Sequence, residues 1–288
     1  MSTAVARAVA YGRMIRFTHS VFALPFALAS ATVAARLFGA EGRHLLWIVV
    51  AMVAARSAAM GFNRLVDRAI DARNPRTAGR ELPRGVLSAR EVVLFVAIST
   101  AAFVLAAAML NPLCLALSPL ALAIVFGYSY TKRFTAASHL VLGLSLSVAP
   151  VGAWLAITGR FHPVPLALAG AVVLWVAGFD TIYACQDAEF DRAAGLHSIP
   201  ARLGVPRALA LSKAMHVLAV ALLASVFWLA PLHPVYLAGV AVVGGLIAWE
   251  HTLVRPDDLS RVMQAFNLNG WVSLGYFAFT AAAAWLGR

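Results

Sequence analysis

The sequence is dominated by long apolar stretches, each about the length that a helix needs to cross a membrane. Such a helix takes roughly 20 mainly apolar residues, because the hydrocarbon core of a bilayer is about 30 Å thick. Backbone within hydrocarbon must satisfy its own hydrogen bonds, so these stretches predict helices. Nine of them are found, at about 19–38, 44–66, 89–110, 112–131, 138–158, 164–186, 207–230, 234–253 and 265–286.

The composition agrees with a chain whose solvent is the lipid bilayer. Of its 288 residues, 62% are hydrophobic and only 12% are charged, whereas a soluble domain carries about 25% charge. Turn-forming residues such as Asn111 and Pro112 separate the apolar runs. We therefore expect one all-α domain over residues 1–288, folded as a polytopic membrane bundle of nine transmembrane helices.

The basic residues lie mainly on one side of the predicted bundle. Of the 23 lysines and arginines, 18 fall on the side of the N-terminus, 4 fall on the opposite side, and Arg56 lies within a span. Cytoplasmic loops carry such an excess, so the N-terminus is predicted to be cytoplasmic and the C-terminus outside. This distribution also argues against a basic face that binds nucleic acid.

Half of the 12 acidic residues lie at the cytoplasmic ends of spans 2 and 6 or in the loops that follow. They are Asp67, Asp71, Glu81, Asp187, Glu189 and Asp191. In the first cluster, Asn63, Asp67 and Asp71 are four residues apart and share one helical face. Carboxylates so placed repel each other and also meet the negative end of the helix dipole. A compensating cation is expected at this face.

The second cluster repeats the four-residue spacing in Asp187 and Asp191, with Asp180 two turns upstream. Hard oxygen ligands suit Mg²⁺, which usually binds one or two carboxylates while substrate phosphates complete its coordination. The pattern favours a Mg²⁺–diphosphate site between the clusters. The alternative is a set of ordinary rim acids paired with neighbouring arginines. The candidate metal ligands are Asn63, Asp67, Asp71, Asp187 and Asp191.

Basic residues on the same face complete the candidate site. Lys132 and Arg133 can bind phosphate oxygens, or they can be a pair placed only by the positive-inside bias. Arg76 and Arg80 lie in a loop rich in proline and glycine, which we expect to cover the diphosphate and exclude water.

Arg56 is the deepest charge, seven residues before Asn63 on the same helical face. A charge at such depth is costly unless it faces a cavity. It either pairs with Asp180 or binds a substrate carboxylate. The second interpretation is favoured, with Arg16 as a possible partner of Arg56. Tyr183, one turn before Asp187, is a further substrate-binding candidate.

Other classes have less support. The sequence has no Walker A motif, no G-x-S-x-G and no H-E-x-x-H, which argues against ATPase and hydrolase functions. A membrane transporter stays an alternative, because charge near the midplane and two related halves are transporter features. The gathering of acids at one membrane face argues against it.

The motifs resemble those of the UbiA superfamily of intramembrane aromatic prenyltransferases. The matching segments are Asn63-x-x-x-Asp67-x-x-x-Asp71, Arg76-Thr77-x-x-Arg80-x-Leu82-Pro83 and Asp180-Thr-x-Tyr183-Ala-x-x-Asp187-x-x-x-Asp191. The resemblance implies a helical bundle around a cavity open to lipid. It also implies Mg²⁺-dependent transfer of a polyprenyl group from polyprenyl diphosphate to an aromatic acid, and a place in a bacterial inner membrane.

The resemblance also implies roles for the site residues. The four clustered aspartates and Asn63 hold the metal, Lys132, Arg133 and Arg80 bind diphosphate oxygens, and Asp180 or Asp187 takes a proton. Arg64 stands where many relatives have an acid, so no metal contact is carried over to it.

The implied acceptor is 4-hydroxybenzoate or a dihydroxynaphthoate, in ubiquinone or menaquinone biosynthesis. Cys185-Gln186-Asp187 and the segment from Gly195 to Pro200 resemble the menaquinone branch of the futalosine route. Haem, chlorophyll and lipid acceptors are the alternatives within the superfamily.

Overall fold

The structure, a computed structural model, describes residues 3–15 and 22–287, and its regular secondary structure over these ranges is helical. Over these ranges the extended structure consists of one isolated bridge between Arg255 and Asp258. The helices are α1 (Thr3–Met14), α2 (Leu24–Phe38), α3 (Gly42–Arg73), α4 (Ala89–Leu110), α5 (Pro112–Thr131), α6 (Ser138–Thr158), α7 (Pro163–Ala184), α8 (Ala188–Ala193), α9 (Ile199–Leu203), α10 (Val205–Leu229), α11 (Val235–Leu253) and α12 (Val262–Leu286).

Each predicted apolar run overlaps one of these helices over the described residues, which confirms the all-helical membrane class. Seven helices are long and apolar enough to cross a membrane: α3, α4, α5, α6, α7 with its continuation to Ala193, α10 and α11. Helix α2 is shorter, at 15 residues. Helix α12 has 25 residues but carries Gln264, Asn267 and Asn269 in its first half. The count of nine spans and the orientation stay predictions.

Helix α3 is longer than the span predicted from its apolar residues. Its 32 residues extend about 48 Å at 1.5 Å per residue, which exceeds the roughly 30 Å of hydrocarbon. The last helical hydrogen bond runs from the backbone N–H of Asn74 to the carbonyl of Ile70 at 3.2 Å, and Asn74 itself has extended backbone, which ends the helix. Asn63, Asp67 and Asp71 therefore lie on continuous helix, as their spacing predicted.

The second cluster differs from the expected single helix. A 3₁₀ turn over Cys185–Asp187 separates α7 from α8, so Asp187 and Asp191 do not share one continuous helical face. The side-chain amide of Gln186 donates to the carbonyl of Tyr183 at 3.0 Å. Such a bond gives the last turn of a helix an alternative to its regular ladder. Asp187, at the end of this turn, contacts Asn74 and Arg76 just after α3.

The main core surrounds α2, whose small residues let the neighbouring helices approach closely. Its Phe26 ring lies between Trp175 of α7 and Tyr276 of α12, with centroid distances of 4.9 and 4.8 Å. The Ser30 hydroxyl donates to the carbonyl of Pro150 in α6 at 2.7 Å. Helix α2 thereby joins the helices on both of its sides.

A buried polar network joins α7 to α10, α11 and α12, and sequence analysis did not predict it. The Trp175 indole N–H donates to Asn269 Oδ1 at 2.6 Å, and Asn269 Nδ2 donates to Glu250 Oε1 at 3.0 Å. Ser212 of α10 donates to the carbonyl of Gly178 at 2.8 Å. These bonds fix α7 against α10, α11 and α12, so its opposite face has a defined position.

Helices α6 and α7 approach each other closely at Gly143. A Cβ added there would lie 2.3 Å from the backbone oxygen of Val173, which is closer than atoms can pack. Helix α6 carries His139 near its start and α7 carries Asp180 near its end, so this close contact helps to bring the two polar side chains together.

We expect Gly143→Ala to push α6 and α7 apart and to cost about 1–3 kcal/mol, the usual range for overpacking. The measurement is the apparent unfolding temperature of the purified protein in detergent. Gly245→Ala in α11 is the matched control, since a Cβ there meets nothing within 4 Å. Equal unfolding temperatures for the two variants would contradict the close approach.

Candidate active site

Two adjoining cavities lie along α3 and α7, one at the C-terminal ends of these helices and the other next to their middle parts. The apolar cavity has a volume of about 650 Å³ and is lined mainly by aliphatic and aromatic side chains of α3, α5, α6 and α7. The polar pocket has a volume of about 180 Å³ and contains both aspartate clusters. The residues that line both are Asn63, Arg64, Arg80, Tyr128, Asp180 and Tyr183.

Asp67 is a buried carboxylate between two cations from the end of α5. Lys132 Nζ lies 2.7 Å from its Oδ2, and Arg133 Nη2 lies 2.9 Å from its Oδ1. Asn63 Nδ2 also donates to Oδ2 at 3.1 Å. Arg133 further donates to the carbonyl of Val66 at 3.0 Å. The cations that the sequence assigned to diphosphate therefore bind a carboxylate here.

Asp71 is paired in the same way with Arg80 from the loop after α3. Arg80 Nη1 lies 2.7 Å from each carboxylate oxygen. Arg64 Nη1 lies 4.0 Å from Asp71 Oδ2, and Arg64 Nε donates to the carbonyl of Met14 at 3.3 Å. Arg64 thus connects Asp71 to α1, a helix that sequence analysis did not predict.

Asp187 is held by the loop that was expected to cover the site. Arg76 Nε donates to its Oδ1 at 2.9 Å, Arg76 Nη2 contacts its Oδ2, and Asn74 Nδ2 donates to Oδ1 at 3.1 Å. Arg76 Nη1 also donates to the Tyr183 hydroxyl at 2.7 Å. Burial of the charged guanidinium lowers the pKa of Arg76, but the hydrogen bond to Asp187 and the nearby charges of Asp187, Tyr183 and Asp71 together raise it above its usual value. The loop therefore keeps a full positive charge over the polar pocket.

Asp180 has a different partner, which the sequence did not indicate. Its Oδ2 lies 2.7 Å from Nδ1 of His139, a buried residue near the start of α6. The backbone N–H of Ile199 donates to the other ring nitrogen, Nε2, at 3.3 Å. The two residues are 41 positions apart, so no local spacing could have joined them.

The remaining predicted residues lie at three places. Asp191, on α8, lines the polar pocket. Arg56 lines the apolar cavity, seven residues and so about 10 Å along the α3 axis from Asn63. Tyr183 lies where the cavities meet. Arg16 is outside the described residues.

The donor set of the polar pocket fits Mg²⁺. Asn63 and the four clustered aspartates all line it, and they offer the hard oxygens that this ion prefers. Among the described residues, no three acidic, histidine or cysteine side chains are grouped closely enough to hold a metal by themselves. Because Mg²⁺ usually takes one or two carboxylates and completes its coordination with phosphate, the set suits an ion that is bound together with diphosphate.

An all-helical bundle with paired aspartate clusters over an apolar cavity is the architecture of a membrane prenyltransferase, and comparison with known proteins agrees. The chain belongs to the UbiA prenyltransferase family, which it matches over residues 23–284. It is 31% identical over 286 residues to the 4-hydroxybenzoate octaprenyltransferase of Vibrio cholerae, covering 97% of this chain and 99% of that protein. The corresponding protein of Saccharophagus degradans is 34% identical over 236 residues, covering 81% and 78%.

Solved structures show the same fold. The apo structure of a UbiA homolog from Aeropyrum pernix K1 has a TM-score of 0.83 at 38% identity, covering 91% of this chain and 96% of that one. A UbiA homolog from Archaeoglobus fulgidus bound to GPP and Mg²⁺ has a TM-score of 0.73 at 23% identity, covering 96% and 99%. The protein is thus a UbiA-type prenyltransferase and a multi-pass membrane protein.

Proposed function

We propose that the protein transfers a polyprenyl group from polyprenyl diphosphate to the ring of an aromatic acid, with Mg²⁺ as cofactor. The observation that carries this proposal is the shared lining of the two cavities. A polar pocket rich in aspartate, arginine and lysine suits a metal-bound diphosphate. The adjoining apolar cavity suits the chain attached to it and an aromatic acceptor.

The ion pairs of the polar pocket suggest how diphosphate binds. Lys132, Arg133, Arg80 and Arg76 each contact a carboxylate in the structure. A diphosphate offers these cations a more highly charged partner, and Arg is well shaped for bidentate contact with it. Mg²⁺, when bound by Asn63 and the four clustered aspartates, supplies Lewis-acid stabilisation of the leaving group. When the four basic side chains turn to the phosphates, Mg²⁺ would replace them as the cationic partner of the carboxylates.

The same groups favour ionisation of the prenyl donor. Fixed positive charges around the leaving diphosphate stabilise the charge that develops as its bond to carbon breaks. The apolar walls and the loop after α3 limit water, which would otherwise capture the allylic cation. A ring carbon ortho to the phenol then attacks the cation. In this proposal Arg56, which lines the apolar cavity, binds the acceptor carboxylate and so orients the ring.

The first candidate acceptor is 4-hydroxybenzoate, which the names of the relatives support. A dihydroxynaphthoate is the second, supported by the resemblance of the segments around Cys185 and Gly195 to the menaquinone branch. In this proposal α2 and α12 also cross the membrane, which gives nine spans with a cytoplasmic N-terminus.

The experiment that tests this function supplies purified protein with a polyprenyl diphosphate, Mg²⁺ and each aromatic acid in turn. We expect diphosphate release coupled to a prenylated acid, detected by mass spectrometry, and its loss on addition of EDTA. Asp67→Asn should lower turnover by about 100-fold or more, because it removes charge that holds the metal and the leaving group. The circular dichroism spectrum of the Asp67→Asn variant should show the same helix content as that of the wild type.

Glu189→Gln is the matched control, since Glu189 is an exposed acid on α8 that does not line the polar pocket. It should retain wild-type turnover. If the wild-type protein prenylates no aromatic acid in this assay, the proposed function is wrong. If instead the Asp67→Asn variant is folded and fully active, the proposed metal site at Asp67 is wrong.

A separate prediction concerns Arg56. Replacing it with alanine removes a charge-assisted hydrogen bond worth about 1.5–3 kcal/mol, so the KM for the aromatic acid should rise roughly 10- to 150-fold. The KM for the donor should change little. With a phenol that lacks the carboxylate, the variant and the wild type should perform alike. Equal effects on both KM values would indicate a structural role.

A further inference from the structure

Asp180 occupies the boundary between the two cavities. It lines both of them, and its side chain is 21% exposed, whereas those of Asp67 and Asp71 are 4% and 5% exposed. Asp180 follows Phe179, which also lines the apolar cavity. Arg56 lines the same cavity, so in the proposed function a ring whose carboxylate is held by Arg56 lies there with its phenolic end toward this boundary. Asp180 is thus accessible to an acceptor hydroxyl.

The partner of Asp180 distinguishes it from Asp67, Asp71 and Asp187. Each of those three is paired with arginine or lysine in the structure and, in the proposed function, holds Mg²⁺ when the donor is bound. A proton taken up there would leave a partly buried cation uncompensated, which is expensive. The partner of Asp180 is an imidazole. A neutral imidazole leaves no unpaired cation behind when Asp180 accepts a proton.

The hydrogen bonds of His139 indicate that its ring is neutral. Nε2 accepts the backbone N–H of Ile199 at 3.3 Å, so this nitrogen must present its lone pair. The single ring proton is then on Nδ1 and points to Asp180 Oδ2 at 2.7 Å. A backbone group therefore fixes both the tautomer and the orientation of the ring. The ring in turn holds one oxygen of the Asp180 carboxylate in place.

We propose that Asp180, positioned by His139, is the base that accepts the phenolic proton of the aromatic acceptor. This inference rests on the proposed function and selects Asp180 over Asp187. His139 acts through Asp180 and is a positioning residue.

The proposed step balances. The phenolic proton moves to Asp180, and the resulting phenoxide is a stronger carbon nucleophile than the phenol. The carbon–oxygen bond of the donor breaks with its electron pair going to diphosphate, and a bond forms between the prenyl carbon and the ortho ring carbon. The ring proton then leaves to the released diphosphate while Asp180 returns its proton to the acceptor oxygen. The products are the prenylated phenol and a protonated diphosphate.

The test compares wild type with Asp180→Asn on acceptors of increasing phenol acidity at one pH. With 4-hydroxybenzoate, the variant should lose about 100-fold or more in kcat, as for removal of a general base. With 3-fluoro- and 3-chloro-4-hydroxybenzoate, which keep one free ortho carbon, more of the phenol is already ionised. The defect should therefore shrink as phenol acidity rises, while the donor KM stays constant.

His139 is tested with two variants in the same series. Asparagine can keep an N–H donor toward Asp180, whereas leucine cannot. We expect His139→Asn to retain more activity than His139→Leu, and the defect of His139→Leu to shrink across the acidic acceptors as well. The unfolding temperature of each variant in detergent separates this effect from loss of folding.

The outcomes are distinguishable. If the wild type alkylates 4-hydroxybenzoate but the defect of a folded Asp180→Asn variant is the same for every acceptor, Asp180 is not the base and the proposed function stands. If His139→Asn and His139→Leu are equally active, His139 does not position Asp180. If the wild type alkylates no phenol, the proposed function itself fails.

Discussion

Negative charge buried at the rim of a membrane bundle is the constraint on which the rest of the site depends. Asp67, Asp71 and Asp187 are mostly buried and face a common pocket, so each needs a cation close by. The cations come from segments outside the long helices: the loop after α3 supplies Arg76 and Arg80, and the end of α5 supplies Lys132 and Arg133. These contacts fold the loop over the pocket and hold α3 next to α5. Charge compensation thus determines both the local fold and the composition of the site.

The second constraint is the junction of this polar pocket with the apolar cavity below it. A prenyl diphosphate has one strongly charged end and one fully apolar end, and a site for it must change character within a few ångströms. Asn63, Asp180 and Tyr183 lie at that change. Their position follows from the length of α3 and from the anchoring of α7 by Trp175 and Gly178. The reacting carbon of the donor belongs at this junction, where the acceptor ring can also reach.

Sequence reasoning works well here where one helix carries the information. Four-residue spacing places Asn63, Asp67 and Asp71 on one face of α3, because helical geometry alone determines this. It did not foresee the 3₁₀ turn over Cys185–Asp187 that interrupts the regular helix, although Asp187 and Asp191 both still line the polar pocket. Apolar composition indicated a membrane bundle. Helix α12 is nevertheless not among the seven helices that are apolar enough to cross a membrane, and its Asn269 belongs to a buried polar network.

The contacts that sequence reasoning could not supply join distant parts of the chain. His139 pairs with Asp180 across two helices, and Arg64 bonds to Met14 at the end of α1. Each depends on how helices pack, which apolar periodicity does not specify. The loop arginines could be predicted only in part. The sequence indicated that they lie near the acids, but it did not specify that Arg76 pairs with Asp187 and Arg80 with Asp71.

The most direct test of the proposed donor site is a structure of this protein with Mg²⁺ and a non-hydrolysable polyprenyl thiodiphosphate. We expect the diphosphate in the polar pocket and the chain in the apolar cavity. We also expect Arg76, Arg80, Lys132 and Arg133 to turn from the carboxylates to the phosphates. An analogue bound elsewhere, or bound while all four cations keep their carboxylate partners, would contradict this site.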